Sequence, residues 1–231
     1  MEVFMSACSD AGFRHNQNQD SISVFSAMVH GDRVLLLAVC DGVGGLPNAE
    51  KASSYCIQEI TRWFCCELPF LLGGRRKKQR VFSSLKILFS KMNQSLYHLC
   101  LASTCSICLI VGKRYYIVHT GDTKIVFFQK GLKYMTKDER VEKSHILHQC
   151  IGMKEELKLQ KKYGRISGVR MVLAGSDGFF EKLQKKELLQ AYQLDFILDE
   201  TDLERCGRRL IRLIRERGEE DDISIGTIYF K

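Results

Sequence analysis

Long apolar runs are missing from this chain. The longest near-apolar stretch, "WFCCELPFLL" from Trp63 to Leu72, is too short to cross a bilayer and carries Glu67 and Pro69, so no membrane partner is expected. Proline is scarce, with two among 231 residues, and no segment is of low complexity. Neither a repeat of solenoid period nor a seam between domains is visible, and the chain reads as one domain over residues 1–231. The opening "MEVFMSACSD" lacks the basic start and apolar stretch of a secretory leader, which points to the cytoplasm. There is no G-x-x-x-x-G-K-[ST], hence no P-loop, and no G-x-S-x-G, hence no nucleophile elbow.

Acidic residues are outnumbered, and the formal charge is +8. That favours acidic or phosphorylated partners without bearing on fold. The densest basic run, "GGRRKKQR" from Gly73 to Arg80, reads as a solvated loop between two helices. It has no interleaved aromatics, so a nucleic-acid partner is not expected. Ten cysteines are present, most inside apolar runs, as at Cys40, Cys56, Cys100, Cys105 and Cys108. "CSIC" falls on a strand pattern, where residues three apart point to opposite faces, so no shared metal is expected there. Free core thiols in a reducing compartment fit this pattern.

Periodicity divides the chain into blocks. Val3 to Cys8, Ser21 to Phe25 and Arg33 to Cys40 read as strands, the last buried on both faces. Ala52, Cys56, Ile60 and Trp63 repeat at helical spacing within a helix from Ala49 to about Leu68, and Phe82 to Leu99 reads as a second helix. "STCSICLIV", "RYYIVH" and "KIVFFQ" form a β-meander. Val141 to Tyr163 is less regular. "VRMVLAG" is a strand, Glu187 to Leu198 and Leu203 to Arg217 are helices, and "ISIGTIYF" is a last strand. Segregated strand and helix runs predict an α+β fold of antiparallel sheets with helices outside.

The strands share an unusual ending. "LLLAVC" runs into Asp41-Gly42, "YYIVHT" into Gly121-Asp122, and "VRMVLAGS" into Asp177-Gly178. Asp221 and Asp222 precede the last strand, and Asp20 precedes the strand from Ser21. Each Asp-Gly alone is an ordinary tight-turn dipeptide. Together, if these ends meet, they crowd carboxylates that repel one another and raise one another's pKa. Hard divalent cations relieve such crowding, and an all-oxygen set selects Mg²⁺ or Mn²⁺ over Zn²⁺. Glycines at 42, 44 and 45 would let backbone carbonyls and waters approach such ions.

Seven segments, in order along nearly the whole chain, resemble the motifs of the metal-dependent protein phosphatases of the PPM family, the protein phosphatase 2C type. They are "SDAGFRHNQNQDS", "AVCDGVGG" with the helix after it, "STCSICLIV", "VHTGDTKIVFF", "HQCIG", "LAGSDGFFEKL" and "EEDDISIGTI". The resemblance implies a sandwich of two antiparallel sheets flanked by helix pairs, and a small, bacterial-like, cytoplasmic monomer. It implies hydrolysis of phosphoserine and phosphothreonine in a phosphoprotein by a metal-activated water, with two Mn²⁺ or Mg²⁺ ions and room for a third. Asp41 would bridge the two ions and the Gly42 carbonyl would be a ligand. Asp177 and Asp221 would complete one ion, and Asp20 would serve the other largely through waters. Asp122 with Asp177 would offer the third position. Asp222 stands where the family has Asn and would act from behind the ligands.

Two departures bear on this. The family's phosphate-gripping arginine falls at His15, with Arg14 one residue earlier. Either Arg14 reaches in through a shifted loop, or His15 substitutes for it, or phosphate binding is weakened. Only residues 129–151 separate Phe128 from Gly152, where many members carry a longer flap. The rival reading is a phosphatase-like module that binds a partner or phosphopeptide without turnover. His145 and His148, in "HILH", have no nearby third ligand, and His119 reads as strand packing.

Overall fold

The structure is a computed structural model and describes residues 2–74, 76–140 and 147–231. Five strands form one antiparallel sheet in the order β1 (Val3–Asp10), β10 (Ile223–Phe230), β9 (Met171–Gly175), β6 (Lys124–Phe128), β7 (Leu132–Tyr134). Five more form a second, in the order β2 (Asp20–Val29), β3 (Asp32–Asp41), β4 (Cys105–Val111), β5 (Arg114–Thr120), β8 (Gln160–Arg165). The two sheets pack face to face. The expected α+β sandwich is therefore what the chain forms.

Strand β3 explains why its sequence is apolar throughout. Leu35, Leu37 and Val39 point into the layer between the sheets, with Ile110 and Ile117 from their own sheet and Phe127, Val172 and Ile228 from the other. Val34, Leu36, Ala38 and Cys40 point the opposite way, against α1 (Ala49–Cys66) and α3 (Lys77–His98). A strand buried on both faces has no polar alternation to show. Trp63 and Phe89 fill that outer layer, and the Trp63 indole donates to Ser84 Oγ at 2.8 Å. The first sheet is covered by α5 (Lys185–Ala191) and α6 (Glu200–Glu216) through Leu188, Tyr192, Leu203, Leu210 and Ile214.

Several expectations need adjustment. Residues 187–198 do not form one helix. α5 ends at Ala191 and a 3₁₀ turn covers Leu194–Phe196. Leu188 and Ile197 both enter the same core, yet nine residues of helix would set them about 180° apart, so the chain must break between them. The first long helix stops at Cys66, and a short α2 (Leu68–Leu72) restarts with Pro69 in its first turn, where a proline's missing N–H costs least. Lys77 to Arg80 belong to α3, so the basic run is only partly loop. Strand β8 was hidden in the irregular stretch because "QKKYGR" is polar at most positions. Cys105 and Cys108 do point to opposite faces of β4, one in each core layer. All ten cysteines are free, although Cys100 is exposed at the end of α3. Among the described residues no helix is long and apolar enough to cross a membrane.

Candidate active site

Alternation carries the carboxylates to one end of the sandwich. Asp41 is in phase with Leu35, Leu37 and Val39, and Asp20 with Ile22 and Val24, so both extend the row facing the other sheet. The two residues are direct cross-strand partners. Asp122 lies in the β5–β6 turn that crosses between the sheets, and on the facing sheet Asp177 opens α4 (Asp177–Glu181) after β9 while Asp221 and Asp222 lead into β10. A cavity of about 340 Å³ opens there, lined by Arg14, His15, Asp41, Asp122, Asp177 and Asp221 together with the Gly42–Gly45 turn. The Asp-Gly endings thus do converge.

Neighbouring elements fix the main chain at each aspartate. Asp41 donates its N–H to Thr104 Oγ1 at 3.0 Å, and its carbonyl accepts from Thr104 N at 2.8 Å and from Ser103 Oγ at 3.0 Å. The Ser-Thr pair opening the β4 motif therefore sets the height of Asp41. Gly42 has a role that spacing did not reveal. A Cβ there would stand 2.2 Å from the carbonyl oxygen of Ala49, so its bareness admits the start of α1. Gly45 adopts φ +88°, which an L side chain disfavours. Gly121, at φ +105°, leaves room for Thr104, whose Cβ would lie 2.6 Å from an added Cβ.

Asp222 holds the loop between β1 and β2. Its Oδ1 accepts from Gly12 N and its Oδ2 from Gln19 N, each at 2.7 Å. The same loop is tied to the Glu220 carbonyl by Phe13 N at 2.9 Å and Arg14 N at 3.2 Å. Arg215 of α6 clamps the other side. Its Nη1 donates to the carbonyls of Asp221 at 2.6 Å and Glu219 at 2.9 Å, and its Nε to Asp10 Oδ1 at 2.7 Å. Sequence reading passed over Arg215, since it sits in an arginine-rich helix that looks solvated. Arg14 itself reaches the cavity and donates from Nη1 to Asp221 Oδ2 at 3.0 Å, with 61% of its side chain exposed. His15 also lines the cavity, near Gly44.

The carboxylates repel one another, and Arg14 and Arg140 relieve them only in part. Burial, with the charges of Asp222 and Asp177 added, pushes Asp20 up to about 8, although the hydroxyls of Ser176 and Ser224 lie near enough to temper the rise. Burial and Asp177 raise Asp122 to about 7, against the pull of Arg140. Burial, then Asp20, Asp177, Asp122 and Asp221, raise Asp41 well above the usual carboxylate range. Burial and Asp221 raise Asp177. Both oxygens of Asp20 and Oδ1 of Asp122 are buried without a hydrogen-bond partner. Among the described residues no three His, Cys, Asp or Glu side chains stand gathered closely enough to hold one ion. Arg14 and Arg140 reach among these acids. The donors are nonetheless hard oxygens, those of Asp20 and one of Asp122 buried and unsatisfied, which is the chemistry that suits Mg²⁺ or Mn²⁺.

Among the histidines, His119 is fully buried, bonded to Ser106 Oγ at 2.7 Å and to the Lys137 carbonyl at 3.1 Å, and burial lowers its pKa. It is a structural node, as its place in a strand suggests. His148 takes the end of a short turn, its carbonyl accepting from Lys154 Nζ at 3.0 Å. His145 lies outside the described residues.

An acid-lined pocket thus opens at the tip of an αββα sandwich. A model of the family described as Protein phosphatase 2C matches residues 14–200, and the chain belongs to that family. No curated protein matches the sequence. The fold is that of solved bacterial structures. It is similar to the serine/threonine phosphatase Stp1 from Staphylococcus aureus, with TM-score 0.83 and 18% identity, over 100% of this chain and 96% of that one. It is similar to the serine/threonine phosphatase of S. agalactiae, with TM-score 0.82 and 21% identity over 100% of both chains. The catalytic domain of the phosphatase PstP in complex with two manganese ions has TM-score 0.76 and 21% identity, over 98% of this chain and 97% of that one.

Proposed function

We propose that residues 1–231 form one cytoplasmic domain that hydrolyses phosphoserine and phosphothreonine in proteins at a two-ion Mn²⁺ or Mg²⁺ centre. The single observation that carries this is the cluster of mutually repelling carboxylates at one end of the sandwich, in which both oxygens of Asp20 and one of Asp122 are buried without a partner. Asp41 would be the carboxylate shared by both ions, with the Gly42 carbonyl as a further ligand. Asp177 and Asp221 serve one and Asp20 the other, while Asp122 faces them from the β5–β6 turn. When bound, such ions supply positive charge to a phosphoryl group and lower the pKa of a water. The ten free thiols accord with a reducing compartment.

The chain's own residues bind and orient. Four aspartates and two divalent ions sum to about zero, so an arriving phosphate dianion calls for one more cation. Arg14 is suited to that task, being charged at any working pH and able to offer two parallel donors. Its present partner, Asp221, is exposed enough for the pair to exchange at low cost. Asp222 holds the Arg14 loop from behind and Arg215 holds the Asp221 turn, so both act through other residues. Only residues 129–151 stand in the place of a longer flap.

Asp41→Asn tests the ligand assignment. The variant is expected to fold, to lose phosphopeptide turnover, and to bind Mn²⁺ more weakly in calorimetry. Undiminished Mn²⁺ binding would contradict the role given to Asp41. Intact Mn²⁺ binding with no turnover in the native protein would favour a module that binds phosphopeptides without hydrolysing them.

A further inference from the structure

The short segment after Phe128 brings one arginine into the acid cluster. Arg140, with 19% of its side chain exposed, puts Nε 3.8 Å from Asp122 Oδ2 and Nη1 3.9 Å from Asp177 Oδ2. The same guanidinium donates from Nη1 to Glu181 Oε1 at 2.8 Å and from Nη2 to Asp138 Oδ2 at 2.8 Å. Its Nε adds bonds of 3.1 Å to each oxygen of Asp138. Asp177 Oδ1 meanwhile accepts from Gly178 N at 2.7 Å. Oδ2 of Asp122 and Oδ2 of Asp177 therefore both face Arg140, while Oδ1 of Asp122 is buried without a partner.

We propose that Arg140 is a built-in cation filling the place between Asp122 and Asp177, so that this protein loads two divalent ions and no third. The inference rests on the two-ion reading above and refines it. A guanidinium stays charged throughout the working range and offers five donors in one plane. Here those donors are fixed by Asp138 and Glu181 before any ion arrives. A divalent ion entering beside it would meet a like charge at contact distance in a partly buried site, where screening is weak. It would also have to break the bonds to Asp138 and Glu181. The plain alternative is that Arg140 only anchors the short segment. That role would leave the number of bound ions unchanged when the charge is removed.

Equilibrium dialysis against Mn²⁺ alone, followed by metal analysis, separates the two. Wild type and Arg140→Lys are expected to hold two ions per chain. Arg140→Ala and Arg140→Gln are expected to hold three, the third more weakly, and the added change Asp122→Ala to return the count to two. Gln keeps one donor for Asp138 or Glu181, which guards against a misfolded Ala variant, and circular dichroism checks both. Equal counts in wild type and the neutral variants overturn the inference, whatever the number. Fewer than two ions in wild type would count against the two-ion reading, and the difference between wild type and variant would still decide Arg140.

Discussion

Arg14 and His15 compete for one task, and their chemistry separates them. An arginine offers two parallel donors to a phosphate and keeps its charge, whereas a histidine offers one donor and, as a residue type, titrates near neutrality. Arg14 already has a carboxylate oxygen within 3.0 Å in the cavity, a position an incoming phosphate oxygen can take. Arg14→Ala is expected to lower kcat/KM for a phosphopeptide by about 10- to 100-fold, the worth of a charge-assisted hydrogen bond. His15→Ala is expected to change it little. Steady-state kinetics of both variants from pH 6 to 8 decide the matter. The reverse order, with a KM that climbs with pH in the Arg14 variant, would assign the phosphate to His15. At this scale the aspartates were legible because each ends an apolar strand beside a glycine. Arg140 and Arg215 were not, because what they do depends on partners such as Glu181 and Asp10 that lie far away in sequence.

Elements are joined at the site by close backbone approaches more than by side-chain packing. Gly42 sets the first turn of α1 against the tip of β3, and an added methyl there meets a carbonyl oxygen that cannot move without the helix. Gly42→Ala is expected to cost about 3 kcal/mol or more, at the upper end of overpacking penalties. Urea unfolding measures this, and a loss below about 0.5 kcal/mol, the range of neutral surface changes, would contradict the assigned packing role. Sequence reading had put this glycine to work as an opening for ligands and, by resemblance, as a carbonyl ligand itself. Strands with both faces buried, and helices with a clear apolar stripe, were readable from their periods. The break after Ala191 was not, since Leu188 and Tyr192 share one helical face and only the core that Ile197 also enters shows that the chain must turn back. Edge strands β7 and β8 carry too few buried positions to announce themselves.

Across the whole molecule the cost of assembling the site appears as a pH dependence. Asp20, Asp41, Asp122 and Asp177 all have pKa values raised above the ordinary value of 3.8. The folded chain without metal therefore binds more protons than the unfolded chain between about pH 4 and 8, and stability falls as pH rises. The opposite contributions of Asp138, Glu59 and Glu187, whose pKa values are lowered from 3.8 and 4.5, are complete well below pH 6.5. His119, lowered from 6.5, stabilises less as pH falls below 6.5, which leaves pH 6.5 to 8 to the aspartates. The midpoint of thermal unfolding of chelated protein is expected to drop across this window, and Mn²⁺ to flatten the drop by replacing protons. A midpoint that rises from pH 6.5 to 8 without metal would contradict the mutually repelling cluster. The αββα layering was readable from segregated blocks of period 2 and period 3.6. The meeting of distant strand ends was an inference from their shared chemistry, and the pairing of Asp20 with Asp41 follows once β2 and β3 are in register.

The central claim is that this pocket hydrolyses phosphoprotein only with divalent ions on its carboxylates. Release of phosphate from a phosphothreonine peptide, followed in exhaustively chelated protein before and after Mn²⁺ is restored, tests it most directly. No release under chelation, with turnover recovered on adding Mn²⁺ or Mg²⁺ and poorly on adding Zn²⁺, is the expected result. Turnover that persists through chelation, or none at all after Mn²⁺ is restored to folded protein, would contradict it.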